Sequence, residues 1–181
     1  MKLWVFDFDD TLVRTDAVTH VTNGDRKFDL SPDELATYEC KPGDVFNHTE
    51  FKGLVNPRAV KWVNRILHNV YAHHGASSIT ILTARGHREP VERWLALIGL
   101  SGIEIVTLNS LTLGENVDLV RDVAHVKASW ISERIERDGL SEVEFFDDNH
   151  KNVVAVDALR HLHPNVTIIV RHITHDQVTL R

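Results

Sequence analysis

Short apolar runs alternate along the chain with stretches whose apolar residues recur at helical spacing. Residues 2–8 form an apolar run that ends on acids, the pattern of a buried strand. Residues 57–74 carry Val60, Val63, Ile66, Leu67, Val70 and Tyr71 at intervals of three and four, which predicts a helix closed by Gly75. Residues 77–84 ("SSITILTA") predict a second strand, 88–100 ("REPVERWLALIGL") an amphipathic helix and 103–108 ("IEIVTL") a third strand. The pattern over 117–137 predicts a long helix stopped at Asp138-Gly139. A fourth strand is expected at 143–148, a helix at 149–162 and a fifth strand at 165–173, beyond Pro164.

Strands that are apolar almost throughout and that alternate with helices belong in a parallel sheet covered on both faces. The expected fold class is therefore α/β, a Rossmann-like three-layer sandwich with a mainly parallel sheet. Residues 1–181 fit one domain, and no internal repeat or low-complexity tract interrupts them. The exception to the alternation is 14–56, a polar stretch with turn signals at Asn23-Gly24, Ser31-Pro32 and Pro42-Gly43. It is too long for an ordinary loop and reads as a small cap or flap inserted after the first strand, with a short helix in "SPDELATY".

Composition narrows the class of function. A formal net charge of -6 gives no general attraction for polyanions. A single cysteine, Cys40, excludes an internal disulfide framework and fits a reducing compartment. No apolar run approaches the roughly 20 residues of a membrane span, and Asp7 interrupts the first apolar stretch too early for a signal peptide. The expected location is the cytoplasm, with no membrane and no obligate protein partner.

In open α/β sheets, ligands bind outside the carboxyl ends of the strands. The residues expected there are Asp7, Asp9, Asp10 and Thr11 after strand one, Thr83 and Arg85 after strand two, and Asp147 and Asp148 after strand four. An acid at a strand end is often only a helix cap or a solvated turn. So many acids on one rim, however, repel one another unless a cation or a substrate offsets them. Carboxylates suit a hard cation such as Mg2+. A hydroxyl and an ammonium suit the oxygens of a phosphoryl group, and a carboxylate can attack phosphorus while a second one moves the proton. Two lysines are candidates for the ammonium, Lys127 within the fourth-helix pattern and Lys151 beside the acidic pair. Arg85 is read either as a fork for a phosphate or carboxylate of the substrate or as half of a salt bridge.

The strings "DFDDTL" (7–12), "ILTAR" (81–85), "HVKASW" (125–130) and "FFDDN" (145–149) resemble, in order, the four motifs of haloacid dehalogenase (HAD) superfamily phosphatases. The resemblance implies a HAD-type hydrolase with Asp7 as nucleophile, Asp9 as acid and base, and Thr83 and Lys127 as phosphate binders. It further implies Mg2+ as cofactor, held by Asp7, the Asp9 carbonyl and Asp147, with Asp148 a ligand or the holder of a metal-bound water. "ILTARG" and "FFDDNHKN", with a fainter pattern in "GLVNPRAVKWVNRIL", are also similar to the phosphatase part of phage-type polynucleotide end-repair enzymes.

The expected activity is thus Mg2+-dependent hydrolysis of a phosphomonoester through an aspartyl-phosphate. The substrate class is a nucleotide or nucleic-acid 3'-phosphate end, with a small phosphorylated metabolite as the alternative. A phosphoacceptor receiver domain carries its acidic pair after strand one and its acceptor in mid-chain, the reverse of the order here. A catalytically silent binding module should lack Asp7 or Asp9, and both are present.

Overall fold

The computed structural model describes residues 1–108 and 123–174. In chain order the elements are β1 (Lys2–Phe6), β2 (Val13–Arg14), β3 (Thr19–Asn23), β4 (Arg26–Leu30), α1 (Pro32–Thr37), β5 (Val45–Asn47), β6 (Arg58–Ala59) and α2 (Lys61–His74). There follow β7 (Ile79–Thr83), α3 (Glu89–Leu97), β8 (Glu104–Thr107), α4 (Val123–Asp138), β9 (Glu142–Asp147), α5 (His150–Asp157), α6 (Leu159–Leu162) and β10 (Thr167–His172).

Five of the strands make one parallel sheet in the order β10-β9-β1-β7-β8. Side chains alternate across a strand, and β1 shows what the alternation achieves. Trp4 and Phe6 pack with Val63, Leu67 and Val70 of α2 and with Val91 and Trp94 of α3. Leu3 and Val5 pack on the opposite face with Trp130, Ile131 and Ile135 of α4 and Val156 of α5. Both faces are therefore dry, as the near-continuous apolar strands predict. Phe6 and Phe146, register partners in β1 and β9, stack with centroids 4.4 Å apart. The predicted α/β architecture with a parallel sheet between helices is what the molecule has.

The strand order also fixes where a site can form. From β1 the sheet grows on one side through β7 and β8, and on the other through β9 and β10. The order reverses between β1 and β9, and the crevice of such a sheet opens at the carboxyl ends of those two strands.

The region 14–56 is more regular than its polar sequence predicts. β4 and β5 flank β3 in a three-stranded antiparallel sheet, and the Ser31–Glu34 capping box starts α1. β2 pairs with β6 where the chain leaves and rejoins the main body. The strands of this sheet bury only Thr19, Val21 and Leu30, and the first of these is polar, so the apolar alternation that reveals a strand is short and weak in them. The β3–β4 hairpin turns at Gly24, whose φ of 58° places glycine where a two-residue hairpin loop requires positive φ.

Two predicted helices differ in extent. The helix expected over 57–74 starts at Lys61, because Arg58 and Ala59 pair with β2 and the Val60 N–H donates to the Leu12 carbonyl at 3.0 Å. The helix expected over 149–162 divides into α5 and α6 around Ala158. Of the helix expected over 117–137, residues 117–122 lie outside the described residues. Among the described residues, no helix is long and apolar enough to cross a membrane.

Candidate active site

Asp7 is fixed to the sheet by its backbone. Its N–H donates to the Phe146 carbonyl at 2.9 Å, extending the β1–β9 ladder by one rung. The chain then reverses within a few residues: the amides of Leu12 and Val13 both donate to the Phe8 carbonyl, and the Asp10 amide donates to the Val13 carbonyl. Asp10 sits at φ 54°, a left-handed conformation that aspartate tolerates better than most residues. Thr11 ties this turn to the end of β9. Its hydroxyl donates to Asp148 Oδ1 at 3.0 Å and accepts from the Asp148 amide at 3.1 Å.

Lys127 reaches the same point from α4. Its ammonium donates to Asp7 Oδ1 at 2.6 Å and to Asp147 Oδ2 at 2.7 Å, and its side chain is 1% exposed. Asp147 is fully buried and also accepts from the Asn149 amide at 2.8 Å and from Asn152 Nδ2 at 3.0 Å to each oxygen. Asn152 is a site residue that sequence reasoning misses. It sits inside the apolar pattern of α5, and only its spacing five residues after Asp147 hints at the contact.

The charges do not balance. Asp7, Asp147 and Asp148 each present a carboxylate oxygen, and these atoms lie within 4.8 Å of one another against the single ammonium of Lys127. Burial raises the Asp7 carboxyl well above its usual range, and the charges of Asp147 and Asp148 add to this while Lys127 opposes it. Burial, then the Asp147 charge, pushes Asp148 up to about 7. Burial disfavours the Lys127 ammonium too, but Asp147 and Asp7 outweigh it and hold the lysine charged. The cluster thus takes up protons or a cation. With all three acids ionised the cluster would carry two negative charges in excess, and its three carboxylate oxygens are donors of the kind that a hard cation takes.

Asp9 is not one of the three clustered acids and pairs with Arg85. Arg85 Nε and Nη2 donate to Asp9 Oδ2 and Oδ1 at 2.8 and 2.6 Å, a bidentate pair. The Asp9 carboxylate is consequently engaged by arginine and not by the acidic cluster. Thr83, at the end of β7 and fully buried, accepts the Arg85 amide on its hydroxyl at 3.1 Å. Of the two candidate lysines, Lys127 is brought to the acids, while Lys151 is exposed on α5. No protein-family model, curated protein or solved structure matches the chain.

Proposed function

We propose that the protein is a HAD-type phosphatase that hydrolyses a phosphomonoester through a covalent phosphate on Asp7. The observation that carries this reading is the Lys127 ammonium bridging Asp7 and Asp147 at the sheet's switch point, with Asp148 in the same cluster. This is the arrangement expected of a nucleophile, a phosphate-binding lysine and a pair of metal-binding acids. Asp7, Asp147 and Asp148 would hold Mg2+, and the Asp9 carbonyl is the fourth candidate ligand. The ion would supply positive charge to the phosphoryl oxygens and let the acids coexist ionised.

An Asp7 carboxylate oxygen attacks phosphorus, the bond to the leaving oxygen breaks, and Asp9, entering this step protonated, gives that oxygen its proton and becomes the carboxylate that Arg85 holds. Asp9 then takes a proton from water as the water attacks phosphorus, which releases inorganic phosphate and restores the Asp7 carboxylate. Lys127 and the Thr83 hydroxyl bind the phosphoryl oxygens as charge develops on them. A nucleotide or nucleic-acid 3'-phosphate is the preferred substrate class, and a small phosphorylated metabolite is the alternative. Rings of Phe28, Tyr38, Phe46, His48 and Phe51 follow one another at 5.7 to 6.3 Å and end against Arg85, a surface suited to a base.

The test is a panel of phosphomonoesters that includes 3'-mononucleotides and 3'-phosphorylated oligonucleotides, with Mg2+ and with EDTA. Release of phosphate that requires Mg2+ is expected. Full activity in chelator rules out the metal assignment, and no release from any ester in the panel leaves the silent binding module on the same fold.

A further inference from the structure

Arg85 is engaged on every side. Two of its nitrogens hold Asp9, and Nη1 donates to the carbonyls of Phe51 and Gly53 at 2.8 Å each. Its guanidinium lies 5.2 Å from the Phe8 ring centroid and 5.7 Å from that of Phe51, and its side chain is 1% exposed. Phe51 belongs to the 3-10 turn Thr49–Lys52 at the end of the insert, and Gly53 caps that turn. One planar group therefore joins the turn after β1 to the last turn of the insert. Arginine alone among the side chains offers donors in this forked geometry.

From this geometry we infer that Arg85 is a positioning residue coupling the seating of the insert to the orientation of Asp9. The inference rests on the acid–base role proposed for Asp9. When the 3-10 turn is seated, its two carbonyls and the Phe51 ring fix the guanidinium, and the guanidinium fixes both carboxylate oxygens of Asp9. When the turn lifts, the arginine loses two acceptors and one stacked ring, and Asp9 loses its fixed partner. A substrate that holds the insert down thus also sets the proton-transferring group. The salt-bridge role and the phosphate-fork role weighed for Arg85 differ in this respect. The donors that a fork would need are directed at Asp9 and the insert.

The experiment compares wild type, Arg85→Lys and Arg85→Met by two readouts. The first is kcat/KM for esters with good and poor leaving groups, in the wild-type and Asp9→Ala backgrounds. General acid catalysis contributes typically ~10²–10⁴-fold, and small misplacements cost on the order of 10²-fold. Arg85→Met is expected to lose on the order of 10²-fold on an alkyl phosphate and far less on an aryl phosphate, whose leaving group needs little protonation. It should add nothing in the Asp9→Ala background, because it acts through Asp9. Arg85→Lys, which keeps charge but not the fork, should fall between. The second readout is amide hydrogen exchange over residues 45–55, expected to speed up in both variants while the β1–β7–β9 amides stay protected. Equal losses on all esters, additivity with Asp9→Ala, a gain of activity or unchanged exchange in the insert would each overturn the inference. If wild type hydrolyses no ester, the phosphatase reading fails by itself, and the exchange result still decides whether Arg85 tethers the insert.

Discussion

Lys127 Nζ lies 2.6 Å from Asp7 Oδ1 across a sequence separation of 120 residues, and the two side chains are 1% and 8% exposed. A pair buried this deeply costs desolvation that its attraction only partly offsets, so such a pair is poor evidence of a stabilising device. Removing one partner is different, because it strands the other. Lys127→Met keeps most of the stem volume but leaves Asp7 and Asp147 without their shared cation. The expected loss is about 3–5 kcal/mol, which for a chain of this size lowers Tm by roughly 10 °C. Lys151→Ala, on an exposed helix position, should stay within about 0.5 kcal/mol of wild type. Thermal melts of the two variants side by side check this, and equal melting temperatures would contradict the buried role of Lys127.

Asn152 predicts a separate effect on the acids. Its amide donates to both oxygens of Asp147, so Asn152→Ala leaves a buried carboxylate short of a donor. The expected cost is ~1–3 kcal/mol in urea unfolding. Groups that orient metal ligands are typically worth ~10–100-fold in metal affinity, and Mg2+ binding by calorimetry should weaken by that order. Unchanged Mg2+ affinity in the folded variant would mean that Asp147 does not need Asn152 to face the ion.

The acidic cluster sets a pH dependence whose sign is fixed by its shifts. Asp148 is raised from 3.8 to about 7, chiefly by burial. The folded state therefore binds this proton more tightly than the unfolded chain does. The resulting stability is present below the ordinary value and is lost as pH rises from about 4 through about 7. In EDTA, the Tm of wild type relative to Asp148→Asn should fall across that window, and saturating Mg2+ should abolish the fall. A difference that stays flat, or that rises with pH, contradicts the charge excess described for the site.

Much of this arrangement can be read in the sequence, for definable reasons. Strands β1, β7 and β9 are apolar almost throughout because both faces of the sheet are buried, and their carboxyl ends then mark the rim directly. Asp7, Asp147 and Asp148 meet as the alternation of elements predicts. The insert does not read as a sheet, since its strands are short and bury only Thr19, Val21 and Leu30, too few apolar positions to set up a period. Nor does periodicity place Lys127 against Asp7, because a repeat gives the face of a helix and not its distance along the rim. The salt bridge read as one alternative for Arg85 is present, but its partner Asp9 is not legible across 76 residues, nor is the tie to Phe51 and Gly53, which runs through backbone carbonyls.

His20 offers a probe of the insert that is independent of the catalytic rim. Its ring bonds to Asp29 at 2.6 Å and to Glu50 at 3.2 Å, and the Asp29 contact leads in raising the imidazole above 6.5. The sign is that of a base gaining a partner, so its contribution is present below 6.5 and is lost as pH rises through the raised value. An NMR titration should give a His20 value above the ordinary one, moved back toward it in Asp29→Asn. A His20 that titrates normally in wild type would show that β3 and β4 do not hold this pair in solution.

The most direct test of the central claim is whether phosphate becomes covalently attached to Asp7 during turnover. Enzyme mixed with Mg2+ and an activated phosphomonoester, then quenched in acid within the first turnovers, can be weighed intact and mapped by peptide mass. The expected result is one added phosphoryl group on the peptide holding Asp7, sensitive to hydroxylamine as an acyl phosphate should be. Asp7→Asn should form none and Asp9→Asn only a trace, because Asp9 helps both to form and to cleave the intermediate. Steady turnover with no adduct at Asp7, or near-wild-type turnover by Asp7→Asn, would contradict the mechanism outright.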